Sequence, residues 1–153
     1  MTMIQVAMLW LANEKGELLL ARRADHKAQD PGLWGPSVTG KLETDETFEK
    51  AVAREVEEEL ALSPNGYTPK YLFEIDFHHP DGELRKFGVF TATISDSLIK
   101  DLKFDTNEVA EIRWLSISEI KELLKSEPGE KVVASAFVLW ERIFEAIEKQ
   151  KTS

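Results

Sequence analysis

The chain has 153 residues, 42% hydrophobic and 31% charged, a balance expected of one soluble domain with a real core spanning residues 1–153. Its formal net charge of −9, from 19 basic and 28 acidic residues, argues against a nucleic-acid grip and suits a site that uses divalent cations to admit an anion. The absence of cysteine excludes disulfides, thiolate metal sites and cysteine nucleophiles.

The apolar run Ile4 to Ala12 has no Lys or Arg before it and is too short to span a bilayer, so it reads as a buried strand in a cytoplasmic protein. Together with the residues up to Arg23 it reads as two strands around Asn13-Glu14-Lys15-Gly16, a hairpin signal. A loop follows to Gly40, punctuated by Pro31-Gly32 and Gly35-Pro36. From about Glu46 to Leu60 the pattern is helical, with Phe48, Ala51, Val52, Val56 and Leu60 spaced for one face. "YLFEIDF" and "KFGVFTATI" read as strands joined across His79-Pro80-Asp81-Gly82. "EIRWLSI" is a further strand running into a short helix, "SISEIKELLK". "KVVASAFVLWERIFEAIEKQ" is a closing helix, apolar at Val133, Phe137, Trp140, Phe144 and Ile147. Strands and helices mix without regular βαβ alternation, which predicts an α+β fold with a mixed β-sheet between helices.

Within the helix, "REVEEELAL" crowds Glu55, Glu57, Glu58 and Glu59 together, although like charges at helical spacing repel by roughly 0.2–0.5 kcal/mol per pair. On a helical wheel with Phe48 at zero, Glu55 and Glu59 lie roughly 20° to either side and Glu58 about 80° away, while Glu57 and Arg54 fall on the far half. Two glutamates therefore sit on the apolar side. A solvated helix with these two at the rim of its apolar stripe fits that placement. So does an all-oxygen cluster for a hard cation such as Mg²⁺ or Mn²⁺.

The spacing Gly40, Glu46, Arg54-Glu55-Val56-Glu57-Glu58-Glu59-Leu60-Ala61-Leu62 resembles the defining motif of the Nudix hydrolases, except that Ala61 stands where that motif has glycine. The resemblance implies a Nudix-type α/β/α sandwich. It also implies that Glu55, Glu58 and Glu59 are metal ligands, helped by the backbone carbonyl at Thr39. Glu55 or a neighbouring glutamate would accept a water's proton, and Arg54 would orient the cluster by a charge-assisted hydrogen bond. Glu46 is favourable near a helix start on dipole grounds and is expected to be structural. Ala61 puts the helix cap in question, because a left-handed alanine costs roughly 1 kcal/mol.

The preceding stretch, "LLLARRADHKAQDPGLWGPSVTGK", resembles the same region of isopentenyl-diphosphate isomerases, which share the Nudix fold. Arg23 and Lys27 fall where those enzymes bind diphosphate, and Trp34 of the shared turn is expected beside them in the substrate site. The isomerase cysteine, however, falls at Thr39, its metal-binding histidine at Lys41 and its later catalytic glutamate near Arg85. Glu83, Asp105 and Glu108 are candidates for a further acidic group outside the motif. His78 and His79, near Asp76 and Asp81, could suggest a metal site, but adjacent strand residues face opposite ways, so a hairpin end is expected instead.

The expectation is therefore Mg²⁺- or Mn²⁺-dependent hydrolysis of a diphosphate linkage in a small anionic substrate. Nucleoside diphosphates linked to another group, and nucleoside triphosphates, are the leading classes. The alternatives are isopentenyl-diphosphate isomerisation and a non-catalytic module that binds a nucleotide. The expected partner is the small diphosphate substrate, without nucleic-acid polymer or membrane; a homodimer is allowed.

Overall fold

A computed structural model describes residues 3–79, 82–125 and 131–152. Its strands are β1 (Ile4–Ala12), β2 (Leu18–Arg23), β3 (Trp34–Gly35), β4 (Val38–Lys41), β5 (Lys70–His78), β6 (Leu84–Thr93) and β7 (Val109–Leu115). The helices are α1 (Phe48–Leu60), α2 (Asp96–Ile99), α3 (Ile117–Leu123) and α4 (Ala134–Thr152), with a 3₁₀ turn at Pro64–Gly66. All seven strands join one mixed sheet of order β3-β2-β1-β6-β5, with β4 also on β1 and β7 also on β2.

β1 lies inside this sheet, parallel to β6 and antiparallel to β4, and is covered on both faces. That explains its unbroken apolar run, since a strand buried on two sides has no polar alternation. Val6, Met8 and Trp10 enter one core with Ile120 of α3 and Leu139, Trp140 and Ile143 of α4. Ala7, Leu9 and Leu11 enter the other with Ala51, Val52, Val56 and Leu60 of α1. The sheet is thus sandwiched between α1 and the α3/α4 pair, as the mixed-sheet expectation required. Of the expected apolar positions in the closing helix, Val133 is buried just before it, Trp140 and Ile147 are buried within it, and Phe144 is partly buried. The side chain of Phe137 lies outside the described residues. No helix among the described residues is long and apolar enough to cross a membrane.

The structure revises several local expectations. β1 and β2 pair only at Ala12↔Leu18, because β4 occupies the rest of that flank of β1. The expected loop before the helix therefore contains two strands, β3 and β4, both too short and too interrupted by Gly and Pro to show a period. Helix α1 begins at Phe48, two residues later than expected, because Thr47 caps it by accepting a hydrogen bond from the Lys50 backbone N–H at 3.2 Å. β7 stops at Leu115 because Ser116 forms a reciprocal capping box with Glu119 that starts α3.

Two glycines seat α1 on the sheet. A Cβ at Gly88 of β6 would overlap the Phe48 ring, and a Cβ at Gly40 of β4 would overlap the Glu55 carboxyl group. The second contact brings the acidic face of α1 against β4.

Candidate active site

Helix α1 presents its glutamates as the wheel places them. Val52 and Val56 are buried and Glu57 is exposed; the side chain of Glu55 is 14% exposed and that of Glu58 is 61% exposed. Glu55, Glu58 and Glu59 line an acidic cavity with Thr39, Gly40, Asp105 and Glu108. Asp105 and Glu108 arrive there because their loop is pinned to the end of α1. The Lys103 backbone N–H donates to the Leu60 carbonyl at 3.1 Å, and that of Asp105 donates to the Glu59 carbonyl at 3.2 Å. Those carbonyls are accessible because the helix ends in a left-handed residue, Ala61 at φ 55°, whose own N–H donates to the Glu57 carbonyl.

Arg54 organises the cluster from behind. Its Nε and one terminal nitrogen donate to Glu46 at 2.9 and 2.8 Å, and the other terminal nitrogen donates to Glu55 at 2.6 Å. It also donates to the Lys41 carbonyl at 3.1 Å, which ties α1 to β4. These bonds hold Glu46 well below the ordinary carboxylate range, at about 2, through the Arg54 hydrogen bond first and the Glu43 backbone N–H second. Glu46 lines neither the acidic cavity nor the one beside it, in keeping with a structural role.

Glu59 shows the opposite behaviour. Burial, then the charges of Glu55 and Glu108, push it up to about 9, and Arg23 offsets only part of this. Burial also raises Glu55, against the pull of Arg54. As the side chains stand, no three acidic or imidazole groups among the described residues are spaced to ligate one cation. Arg54 draws Glu55 and, at 3.6 Å, Glu58 toward itself, while Glu55 and Glu59 hydrogen-bond each other.

A second, cation-lined cavity of about 290 Å³ adjoins the acidic one and shares Thr39, Gly40, Glu59 and Glu108 with it. Period-2 geometry supplies much of its wall: Ala21 and Arg23 from β2, Thr39 and Lys41 from β4, Arg85 and Phe87 from β6. Arg23 and Lys27 both line it, and Lys27 reaches Glu108 at 2.6 Å. Trp34, expected beside them, lines neither cavity. Its neighbour Gly35 takes the inward face, and Trp34 lies in a separate depression with Arg113 stacked 5.2 Å from its ring. Of the acidic candidates outside the motif, Asp105 and Glu108 reach the acidic cavity. Glu83 lines neither cavity and holds the Arg85 Nε at 2.7 Å. His78 is exposed while His79 lines the second cavity, as alternation requires; Asp81 lies outside the described residues. Sequence reasoning passed over Gln29 and Ser135 altogether, and no local pattern marks either one.

A mixed sheet between helices, with an arginine-anchored glutamate cluster on one helix beside a cation-lined cavity, defines the Nudix fold and its site. Residues 1–137 match the model of the NUDIX domain, and the chain belongs to the Nudix family. Among curated proteins it is 36% identical over 120 residues to an isopentenyl-diphosphate Delta-isomerase of Salmonella paratyphi B, covering 76% of this chain and 62% of that one. The chain spans less than two thirds of the length of such relatives. Among solved structures, a MutT protein from Methanosarcina mazei Go1 aligns with TM-score 0.72 at 26% identity over 93% of both chains. A mutT/nudix family protein from Listeria innocua aligns with TM-score 0.73 at 21% identity over 99% of both.

Proposed function

We propose that the chain hydrolyses a diphosphate linkage in a small anionic substrate, with Mg²⁺ or Mn²⁺ held in the acidic cavity by Glu55, Glu58 and Glu59 and the Thr39 carbonyl. The observation that carries this reading is the convergence of Glu55, Glu58 and Glu59 of one helix with Asp105 and Glu108 on a single cavity, which leaves Glu59 crowded by like charge. Its carboxylate is buried beside Glu55 and Glu108, so its ionised form is disfavoured until positive charge arrives. The donors around it are all oxygens, the set a hard divalent cation prefers.

Such a cation supplies neutralisation of the diphosphate and a bound water of lowered pKa. Arg54 fixes Glu55 and so aims it into the cavity. Glu55, which burial raises above its ordinary value, or a neighbouring glutamate would accept the proton of that water. Arg23 and Lys27 hold the diphosphate charge. Lys27 already contacts Glu108, which lines both cavities, so a diphosphate on Lys27 lies beside the carboxylates.

The names of the curated relatives favour a second reading, isomerisation of isopentenyl diphosphate. Thr39, Lys41 and Arg85 stand where the resembling isomerases carry cysteine, histidine and glutamate, and all three line the cation-lined cavity. Moving a proton between carbons needs an acid and a base on opposite faces of the alkene. A hydroxyl and two cations are poor replacements for those groups, so hydrolysis is the reading adopted. A panel of nucleotide and prenyl diphosphates assayed with Mg²⁺ for phosphate and pyrophosphate release tests it. Release from at least one compound supports hydrolysis, and none from any of them overturns it.

A further inference from the structure

Three residues meet on the part of the second cavity's wall that the acidic pocket does not share: Gln29 after β2, and His79 after β5 with Arg85 across the hairpin on β6. The orientation of the Gln29 amide that satisfies its neighbours turns its oxygen toward three donors. The two terminal nitrogens of Arg85 lie at 3.1 and 2.9 Å, and His79 Nε2 lies at 3.0 Å. A neutral amide oxygen thus occupies a point at which a guanidinium fork and an imidazole N–H converge. Hydrogen bonds from such donors are roughly twice as strong to an ionised oxygen as to a neutral one.

The donors are held in place. Arg85 is 9% exposed, its Nε is fixed by Glu83 at 2.7 Å, and its strand is registered against Ile4 and Phe77. The His79 ring packs edge-on to Phe77 at 6.3 Å, with Asp30 3.9 Å from Nε2. Gln29 belongs to a loop, and its backbone carbonyl accepts from Arg23 Nε at 2.9 Å. The donors thus converge on one neutral amide oxygen, which an anionic oxygen can replace at the same point.

We propose that Arg85 and His79 form a second anion subsite, in which the Gln29 side chain holds the place of a phosphate oxygen and yields it to substrate. With Arg23 and Lys27 on the diphosphate, this subsite selects substrates that carry a further phosphate beyond the scissile linkage. The naming of a substrate rests on the hydrolase reading; the anion site itself does not.

The test is calorimetric titration of the metal-free full chain with inorganic phosphate, comparing wild type with Gln29→Glu, Arg85→Lys and Arg23→Ala. Gln29→Glu places a permanent carboxylate among the donors. It is expected to weaken phosphate binding at least about ten-fold while the melting temperature holds or rises, a combination that misfolding cannot produce. Arg85→Lys, which keeps the charge but loses the fork, is expected to retain part of the binding. Wild type that fails to bind phosphate, or Gln29→Glu that binds it as wild type does while Arg23→Ala loses it, overturns the subsite. In turnover, KM for a diphosphate with a distal phosphate should rise in Gln29→Glu relative to its dephosphorylated counterpart. If no diphosphate is hydrolysed, the hydrolase reading fails while the titration still decides the subsite. If hydrolysis proceeds and the titration is unmoved by Gln29→Glu, the subsite alone fails.

Discussion

The acidic and the cation-lined cavity have four residues in common, Thr39, Gly40, Glu59 and Glu108, and differ in almost everything else. The first adds Glu55, Glu58 and Asp105, while the second adds Arg23, Lys27, Lys41 and Arg85 with Asp30 as its further carboxylate. The first takes three of its glutamates from one helix, where i, i+3 and i+4 spacing brings them together. The second takes its cations from β2, the loop after it, β4 and β6, which only the assembled sheet brings together. In a chain of net charge −9, this concentration of cations beside a carboxylate cluster is a division of labour: one side suits a metal ion, the other an anion. The shared wall is where a diphosphate would meet both.

The sharpest way to break this division is to neutralise the acidic side. Glu58→Gln and Glu59→Gln are each expected to lower turnover at least about 10²-fold, because each removes a ligand charge. The fold should survive, since Glu58→Gln relieves repulsion along α1 and Glu59→Gln keeps the neutral form that Glu59 favours without a cation. Near-normal turnover of both variants at saturating Mg²⁺ would contradict the metal assignment.

Neutralising the cationic side should cost less. Arg23→Ala or Lys27→Ala is expected to reduce kcat/KM by the worth of one charge-assisted contact, about 1.5–3 kcal/mol, as measured on the best substrate of the panel. Unchanged kinetics would remove the residue from the site.

Two carboxylates shifted in opposite directions, Glu59 and Glu46, sharpen the comparison through pH. Glu59 is raised to about 9 from an ordinary 4.5, so between those values the folded chain binds a proton that the unfolded chain does not. Its contribution to stability is fully present below 4.5 and is lost as pH rises toward 9. Glu46, lowered to about 2, has the opposite sign: its contribution is present above 4.5 and is lost as pH falls. Urea midpoints in chelator should therefore fall between pH 6 and pH 8.5, and Glu59→Gln should flatten that fall. A midpoint that rises over this interval in wild type, or falls equally in the variant, would contradict the assignment.

The smallest expected effect lies at the helix end that joins the two regions. Ala61 has φ 55°, where a Cβ is penalised, so Ala61→Gly should stabilise the protein by about 0.5–1 kcal/mol in denaturant titration. A loss of stability would show that the cap is held by something other than its backbone geometry.

The acidic side was legible in the sequence because it is local. Once Phe48 defines the inward face, a period of 3.6 sends Glu55 and Glu59 inward and Glu57 outward without any tertiary knowledge, and the structure agrees. The long apolar run of β1 likewise announced a strand buried on both faces. The cationic side was legible only in part. Arg23 and Lys27 were found through resemblance, whereas the meeting of Gln29, His79 and Arg85 depends on sheet order and register, which no window of sequence contains. Trp34 was misplaced for a related reason. Its face depends on how a two-residue strand registers against β2, and a shift of one residue exchanges it with Gly35. Strands β3 and β4 were read as loop because tertiary pairing, with no periodicity of their own, makes them strands.

The central claim, that this division of charge serves hydrolysis, is tested most directly by offering isopentenyl diphosphate and the diphosphate panel in deuterated water with Mg²⁺. Isomerisation must exchange a carbon-bound proton with the solvent, whereas hydrolysis needs only water, a carboxylate base and the cation. The account predicts no deuterium in recovered isopentenyl diphosphate or its isomer, and phosphate or pyrophosphate release from at least one diphosphate compound. Deuterium incorporation at the rate of turnover, abolished by Glu59→Gln, would contradict it and establish the isomerase reading in its place.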